Sequence, residues 1–265
     1  MSADSAEGSN ESASPRTRVA LFVTCLADLF RPQVAFAAAK LLEACGCDVE
    51  VPVQTCCGQP AYNGGDRKGA VALAKNVIAA FEPYEFVVAP SGSCAGMIAM
   101  HYPSLFDDNV AWKTRAEALA AKTHELFSFL VRVRGLQSVA AECRATAAYH
   151  DSCSSIREMG VGPEPRALLA SVRGFQLRDL EEPQTCCGFG GFFSVKYPEV
   201  SAKMGADKIA DARSQGAELI VGGDLGCLLH LAGLIARHGE KIAVRHAAEV
   251  LAGMGGEPAI GEDGA

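Results

Sequence analysis

Two short stretches of the chain carry the same pair of adjacent cysteines followed by a glycine. The first is QTCCGQP, at 54–60, and the second is QTCCGFG, at 184–190. Thiolates bind zinc and iron–sulfur clusters in proteins, and paired thiols also carry out thiol–disulfide exchange. The repeated pair therefore indicates metal binding or redox chemistry at two equivalent places.

Two further cysteines extend each pair to a set of four. The first cysteine set is Cys25, Cys56, Cys57 and Cys94, and the second cysteine set is Cys153, Cys186, Cys187 and Cys227. The interval before the pair is 31 residues (25 to 56) in the first set and 33 (153 to 186) in the second. The interval after it is 37 (57 to 94) and 40 (187 to 227). This agreement predicts an internal duplication, with all eight thiols as candidate metal ligands.

The composition decides how the eleven cysteines are interpreted. The net charge of −7 argues against a nucleic-acid surface. No apolar run approaches the roughly 18 residues that a membrane span needs, and the polar, acidic start lacks the features of a signal peptide. We therefore expect a cytoplasmic protein, in which cysteines stay reduced and bind metals or react rather than form disulfides.

Short apolar runs, typical of strands, alternate with helical patterns. These strands and helices must position both cysteine sets. The predicted strands of the first half are 18–25, 48–52 and 86–94, and its predicted helices are 33–44, 66–81 and 110–133. In the second half ATAAYHDSC, FQLRDL, ELIVGGDLGC and KIAVRH are predicted strands, separated by helices that include 166–171 and 198–214. This alternation predicts an α/β fold of two duplicated, Rossmann-like halves with parallel sheets. Loops that follow parallel strands meet at the carboxyl edge, so each cysteine set should converge there.

The domain boundaries follow from composition and from the restart of the pattern. We predict a disordered tail at 1–16, a first cysteine-rich half at 17–140, a second at 141–252 and a flexible tail at 253–265. Gly58 and Gly188 follow the adjacent pairs and would let the backbone approach a bound cofactor. They are therefore predicted to be cofactor-binding residues.

Adjacent cysteines favour one kind of metal site over another. Their side chains point apart along an extended backbone, which is awkward for one ion but natural for two irons of one cluster. The pattern therefore favours iron–sulfur clusters. Two alternatives stay open: a zinc-stabilised scaffold and a metal-free thiol–disulfide oxidoreductase.

Histidines near the cysteines could add ligands or hydrogen-bond donors to a cluster. His230, three residues after Cys227, is the stronger candidate and is predicted to bind the cofactor; His150, three residues before Cys153, is the weaker one. A fainter repeat places His124 opposite His246, and both are interpreted as packing or surface residues. The cysteines without counterparts are predicted to be structural; they are Cys45, Cys47 and Cys143.

Six motifs resemble a known family. They are FVTCLAD, CCGQPAYNGG, PSGSC, YHDSCS, TCCGFGGFFSVK and GGDLGCLLH. Together they are similar to the lactate-utilization protein A family of CCG cysteine-rich iron–sulfur proteins. This family is related to the CCG-containing subunit of heterodisulfide reductase and to the glycolate oxidase iron–sulfur subunit. The likeness spans about 18–251.

The resemblance implies an iron–sulfur subunit of an L-lactate-oxidising system that yields pyruvate together with iron–sulfur and flavin partner proteins. By itself the chain is not expected to be a complete dehydrogenase. It departs from heterodisulfide reductase-like members at Met97 and His230, which stand where those proteins have a fifth cysteine in each half. With four cysteines in each half, we expect one cubane four-iron cluster per half.

Overall fold

The structure is a computed structural model that describes residues 16–262. The predicted N-terminal tail, 1–16, lies outside this range except for Arg16, as do the last three residues of the predicted C-terminal tail. Within 16–262, every helix is too short or too polar to cross a lipid bilayer.

The first half contains strands β1 (Thr17–Leu21), β2 (Cys47–Glu50), β3 (Phe86–Ala89) and β4 (Thr123–Glu125). Its helices are α1 (Cys25–Phe30), α2 (Gln33–Ala44), α3 (Gln59–Asn63), α4 (Arg67–Phe81), α5 (Gly92–Gly96), α6 (Tyr102–Leu105), α7 (Val110–Ala120) and α8 (Leu126–Ser128). Two π-helical turns, Met97–His101 and Phe129–Val133, extend α5 and α8.

The second half contains strands β5 (Glu142–His150), β6 (Arg173–Arg178), β7 (Leu219–Gly222) and β8 (Ala243–His246). Its helices are α9 (Cys153–Arg157), α10 (Pro163–Ala170), α11 (Phe192–Lys196), α12 (Pro198–Ser214), α13 (Leu225–His238) and α14 (Ala247–Leu251).

Each half is built on one four-stranded parallel sheet, and the two sheets have the same topology. The strand order is β2-β1-β3-β4 in the first and β6-β5-β7-β8 in the second. Every strand pair is parallel. The central strands are buried on both faces, as β7 illustrates with four fully buried residues, because helices cover both sides of a parallel sheet. The predicted α/β fold with two duplicated halves is confirmed.

The predicted helix over 110–133 is wrong. Helix α7 ends at Ala120, and the chain then forms β4, in which His124 pairs with Val88 of β3. The backbone hydrogen bonds that this stretch forms with the edge of β3 outweigh its helical propensity. The predicted strand over 86–94 is also too long, since it ends at Ala89 and Cys94 lies within α5.

The C-terminal segment differs from its prediction as well. The sequence predicts a flexible tail at 253–265, but the described part, 253–262, packs against the second sheet. Ala259 and Ile260 are buried, and the Ile260 amide donates to the Val244 carbonyl at 2.8 Å. Burial of two apolar residues and a hydrogen bond from Arg31 to the Pro258 carbonyl therefore hold this segment along β8.

Candidate metal centres

The structure brings each cysteine set to the carboxyl edge of its own sheet. Cys25 and Cys153 are the first residues of α1 and α9, directly after the first strand of each half. Cys94 and Cys227 lie in the first turns of α5 and α13, and the adjacent pairs occupy the loops after β2 and β6. All eight predicted thiols are thus held at helix starts or on loops that follow strands.

The sulfurs of the first set form two close pairs. The Sγ atoms of Cys25 and Cys56 are 3.7 Å apart, and those of Cys57 and Cys94 are 3.5 Å apart. The backbone amide of Gly58 donates to the Cys56 sulfur at 3.4 Å. In the second set the amides of Gly188 and Phe189 donate in the same way to the sulfurs of Cys186 and Cys187.

These contacts favour the thiolate at one position in each set. The thiols of Cys25 and Cys57, together with the Gly58 amide, lower the pKa of Cys56 against the opposing effect of burial. Hydrogen bonding to the Cys56 sulfur, with burial, raises the pKa of Cys25. The same relation holds in the second set, where Cys153 and Cys187 lower the pKa of Cys186. Each set therefore has one position at which the thiolate is favoured.

Gly58 and Gly188 have left-handed backbone conformations that turn the chain directly after each pair. Their φ angles are +85° and +88°. A Cβ at Gly188 would collide with the Ser201 carbonyl oxygen, whereas a Cβ at Gly58 would lie 3.3 Å from its nearest neighbour, Leu73. Both positions therefore need glycine for the turn that aims the amide at sulfur.

A cavity lies over the first cysteine set, between the two halves. Its empty volume is about 610 Å³. The first half contributes Leu26, Asn63 and the thiols, and the second half closes it with residues such as Phe189 and Asp224. Its lining contains no lysine, arginine or histidine among the described residues. A group bound by the first set would therefore be covered by the second half.

Comparisons with known proteins find the same duplication and the family. The CCG Cysteine-rich domain matches residues 19–99 and 147–232, one match in each half. Lactate utilization protein A of Shouchella clausii is 45% identical over 88% of this chain and 98% of its own length. The Halalkalibacterium halodurans protein of the same name is 46% identical over 88% of this chain and 96% of its own length.

The chain belongs to the lactate utilization protein A family of CCG cysteine-rich proteins. A solved structure also shares the fold: a hypothetical protein from Helicobacter pylori superposes with a TM-score of 0.64 at 13% identity. The match covers 92% of this chain and half of the Helicobacter chain. At that identity the likeness concerns the fold alone.

Met97 and His230, the two residues predicted to stand in place of a fifth cysteine, have other neighbours in the structure. Met97 is fully buried in the core of the first half. His230 lies one turn below Cys227 on α13, and its Nε2 atom is 3.4 Å from both the hydroxyl and the carbonyl oxygen of Ser201 on α12. His230 therefore has protein partners of its own on the neighbouring helix.

The histidine that lies against the thiols is His150, which sequence reasoning ranked below His230. It is 1% exposed at the carboxyl end of β5. One of its ring nitrogens and the sulfurs of Cys187 and Cys227 lie within 4.8 Å of one another. The thiol of Cys187 and then His150 lower the pKa of Cys227 to about 7. Its place at the end of a buried strand, three residues before a cysteine, was the signal in the sequence.

Two histidines and three cysteines lie outside the two cysteine sets and were also assigned from the sequence. His246 is the N-cap of α14, and Glu125 is the N-cap of the equivalent helix α8. His246 is therefore equivalent to Glu125, and the predicted match of His246 with His124 is wrong by one residue. His124 is instead equivalent to Arg245 in strand register. The cysteines outside the sets pack in or against the core that both halves share; they are Cys45, Cys47 and Cys143.

Proposed function

We propose that this chain is the iron–sulfur subunit of an L-lactate-oxidising system that converts lactate to pyruvate, and that it carries electrons between a partner dehydrogenase and an acceptor. The observation that carries the proposal is the doubled set of four thiols at the carboxyl edges of two equivalent sheets. Membership of the lactate utilization protein A family supports the link to lactate.

The four sulfurs of the first half are not gathered around a single ion. A zinc ion about 2.3 Å from four sulfurs would hold every sulfur pair about 3.8 Å apart. Within 16–262, the one trio of ligand atoms that lie mutually within 4.8 Å is that of His150, Cys187 and Cys227. The first-set sulfurs are thus close in pairs without gathering around one point, which argues against a single ion bound by all four. Four thiols in each half support one four-iron cluster per half.

When bound, an iron–sulfur cluster supplies one-electron transfer. The residues of the chain hold and shield it. The thiolates would bind the cluster, the amides of Gly58 and Gly188 donate to sulfur, and residues of the second half cover the first set from one side. Cys57 and Cys187 are 2% exposed. The more exposed cysteines are only half-buried; they are Cys25 and Cys56 in the first set and Cys153 and Cys186 in the second. Each set therefore has a buried end and an end nearer to the surface, where electrons can enter or leave.

Lactate itself is proposed to react on a partner. The cavity over the first set offers, among the described residues, no basic side chain to pair with a carboxylate, and it includes the acidic Asp224. No dinucleotide-binding fingerprint is present in the sequence. Flavin and iron–sulfur partner proteins would supply the dehydrogenase chemistry, in the cytoplasm.

Anaerobic reconstitution with iron and sulfide tests this function. We expect visible charge-transfer absorption, an electron paramagnetic resonance signal after reduction, and about four irons per half. Cys56→Ser and Cys186→Ser should each lose about half of the iron, because each removes a thiol from one set. Cys143→Ser, which alters a cysteine outside both sets, should keep all of it. A wild-type protein that takes up no iron would refute the proposal.

A zinc-stabilised scaffold is the second candidate, and one observation favours it. The trio of His150, Cys187 and Cys227 is compact enough to hold a single ion. This candidate predicts a colourless protein with zinc in the second half and loss of structure on chelation. Metal analysis of protein purified without oxygen, before reconstitution, separates the two candidates.

A further inference from the structure

The two halves differ in one side chain beside their thiols. Phe22 lies three residues before Cys25, and His150 lies three residues before Cys153. Both stand at the carboxyl ends of equivalent strands, whose registers with β3 and β7 agree. The duplicated halves therefore place an aromatic hydrocarbon at one cysteine set and an imidazole at the other.

The surroundings of the two residues differ in kind. Phe22 is fully buried and packs against the ring of Phe81, with centroids 5.5 Å apart. His150 is equally buried, but both of its ring nitrogens lack a hydrogen-bond partner among the described residues. Leaving a buried polar group without a partner costs about 1–3 kcal/mol. We therefore expect the partner of the His150 ring nitrogens on the side that the ring faces.

That direction is the second cysteine set. The ring nitrogen lies within 4.8 Å of the sulfurs of Cys187 and Cys227, the two most buried thiols of the set. Thiolate sulfur that binds a cluster remains a hydrogen-bond acceptor, and such bonds help to set the reduction potential. A neutral imidazole always carries one N–H that can donate.

We infer that His150 is a positioning residue of the second centre, and that its ring N–H donates a hydrogen bond to the cluster-bound sulfur of Cys227 or Cys187. The inference rests on the proposed function, because it needs a cluster in the second half. The four thiolates already supply one ligand for each iron of a four-iron cluster, so the imidazole acts on a sulfur rather than on an iron.

This bond makes the two centres unequal. Adding an electron increases the negative charge on the sulfurs, so a donor to sulfur stabilises the reduced state and raises the midpoint potential. The first centre has Phe22 at this position, and a phenyl ring has no N–H to donate. His150 therefore raises the potential of the second centre and favours an electron there.

The experiment uses a Cys56→Ser, Cys57→Ser background, so that only the second centre is loaded. In this background His150→Phe copies the residue of the first half, and His150→Gln keeps an N–H donor. A potentiometric titration followed by electron paramagnetic resonance should show a lower midpoint potential for His150→Phe than for the parent. His150→Gln should fall between them. His124→Phe is the matched control, since His124 lies against Phe86 and Phe129, and it should leave the potential unchanged.

Other outcomes would overturn the inference. An unchanged potential in His150→Phe would show that His150 gives no donor to the cluster. Strong hyperfine coupling to ¹⁵N-labelled histidine that disappears in both variants would show a ligand to iron instead. If His150→Phe prevents assembly of the centre and His150→Gln does not restore it, the positioning role is again refuted. Failure of the proposed function looks different, because the parent itself would then take up no iron.

Discussion

Ser91 and Asp224 are equivalent residues of the two halves, and they hydrogen-bond to each other across the boundary between them. The Ser91 hydroxyl donates to Oδ2 of Asp224 at 3.1 Å, and the same oxygen accepts from the Ser93 amide at 2.9 Å. Each residue is also the N-cap of the helix that carries the last cysteine of its set. The helix starts that present the last thiol of each set are therefore hydrogen-bonded to each other across this boundary.

Removing this shared cap should destabilise the protein more than removing an ordinary cap. Asp224→Ala leaves the part-buried amide of Ser93 and the buried amide of Gly226 without acceptors, so we expect a loss of about 2–4 kcal/mol in the free energy of unfolding. Asp224→Asn keeps an acceptor and should lose less. Chemical denaturation measures both.

The matched control is Asp66→Ala, which removes the exposed N-cap of α4 and its bond to the Gly69 amide. That change should cost about 1 kcal/mol. Equal losses at the two caps would contradict a special role for the contact between the halves.

The turn glycines should tolerate alanine unequally. Both Gly58→Ala and Gly188→Ala place a side chain at positive φ, at a cost of about 1–2 kcal/mol. Gly188→Ala would in addition push its Cβ into the Ser201 carbonyl oxygen, so it should lose markedly more stability. Thermal unfolding of the two variants under identical conditions provides the comparison, and a larger loss for Gly58→Ala would count against the described loops.

Stability should depend on pH through Glu125. This carboxyl group is buried, its Oε1 atom has no partner in the described part of the chain, and burial raises its pKa to about 8. Since the unfolded value is lower, about 4.5, the folded state holds the proton more tightly, and the free energy of unfolding should fall as the pH rises from about 5 to 8.

Glu125→Gln removes this titration while keeping an oxygen for the Ser128 amide. Its advantage in stability over wild type should therefore grow over the same pH range and amount to several kcal/mol at about pH 8 and above. Denaturation curves of the two proteins at about pH 5, 6.5 and 8 give the difference, in which the contributions of shared groups cancel. A difference that stays constant with pH would exclude a raised pKa at Glu125.

The buried ion pair between Arg31 and Glu249 should be sensitive to the loss of one partner. Arg31 contacts Oε1 of Glu249 through two nitrogens, at 3.0 and 2.7 Å, and the carboxylate is fully buried. Arg31→Met leaves that charge unpaired, so we expect a loss of about 3–5 kcal/mol by chemical denaturation.

An exposed pair supplies the comparison. Arg18 contacts Glu50 at 2.8 Å, but both side chains face solvent, and solvent screening makes such pairs weak. Arg18→Met should leave the unfolding midpoint nearly unchanged. If both arginine variants behaved alike, burial would not be the reason for the sensitivity of the inner pair.

Local patterns were enough to predict much of the fold and the candidate ligands. The two cysteine sets, the duplication and helix α2 at Gln33–Ala44 agree with the sequence interpretation, because apolar periodicity is local and the repeated spacing is visible in the order of residues. Strand β4 was missed because its three residues become a strand only through pairing with β3.

Spacing along the chain was sufficient to assign the thiols to two sets and to predict that the two halves are alike. Which histidine reaches those thiols depended on the packing of the folded chain. His230 follows Cys227 by three residues, and that step carries a helical side chain about 4.5 Å further from the start of α13, where Ser201 of α12 is its partner. His150 ends a buried strand at the carboxyl edge, and its neighbours Cys187 and Cys227 come from distant parts of the chain. Contacts of this kind arise when separate elements pack together, and the order of residues in one segment does not record them.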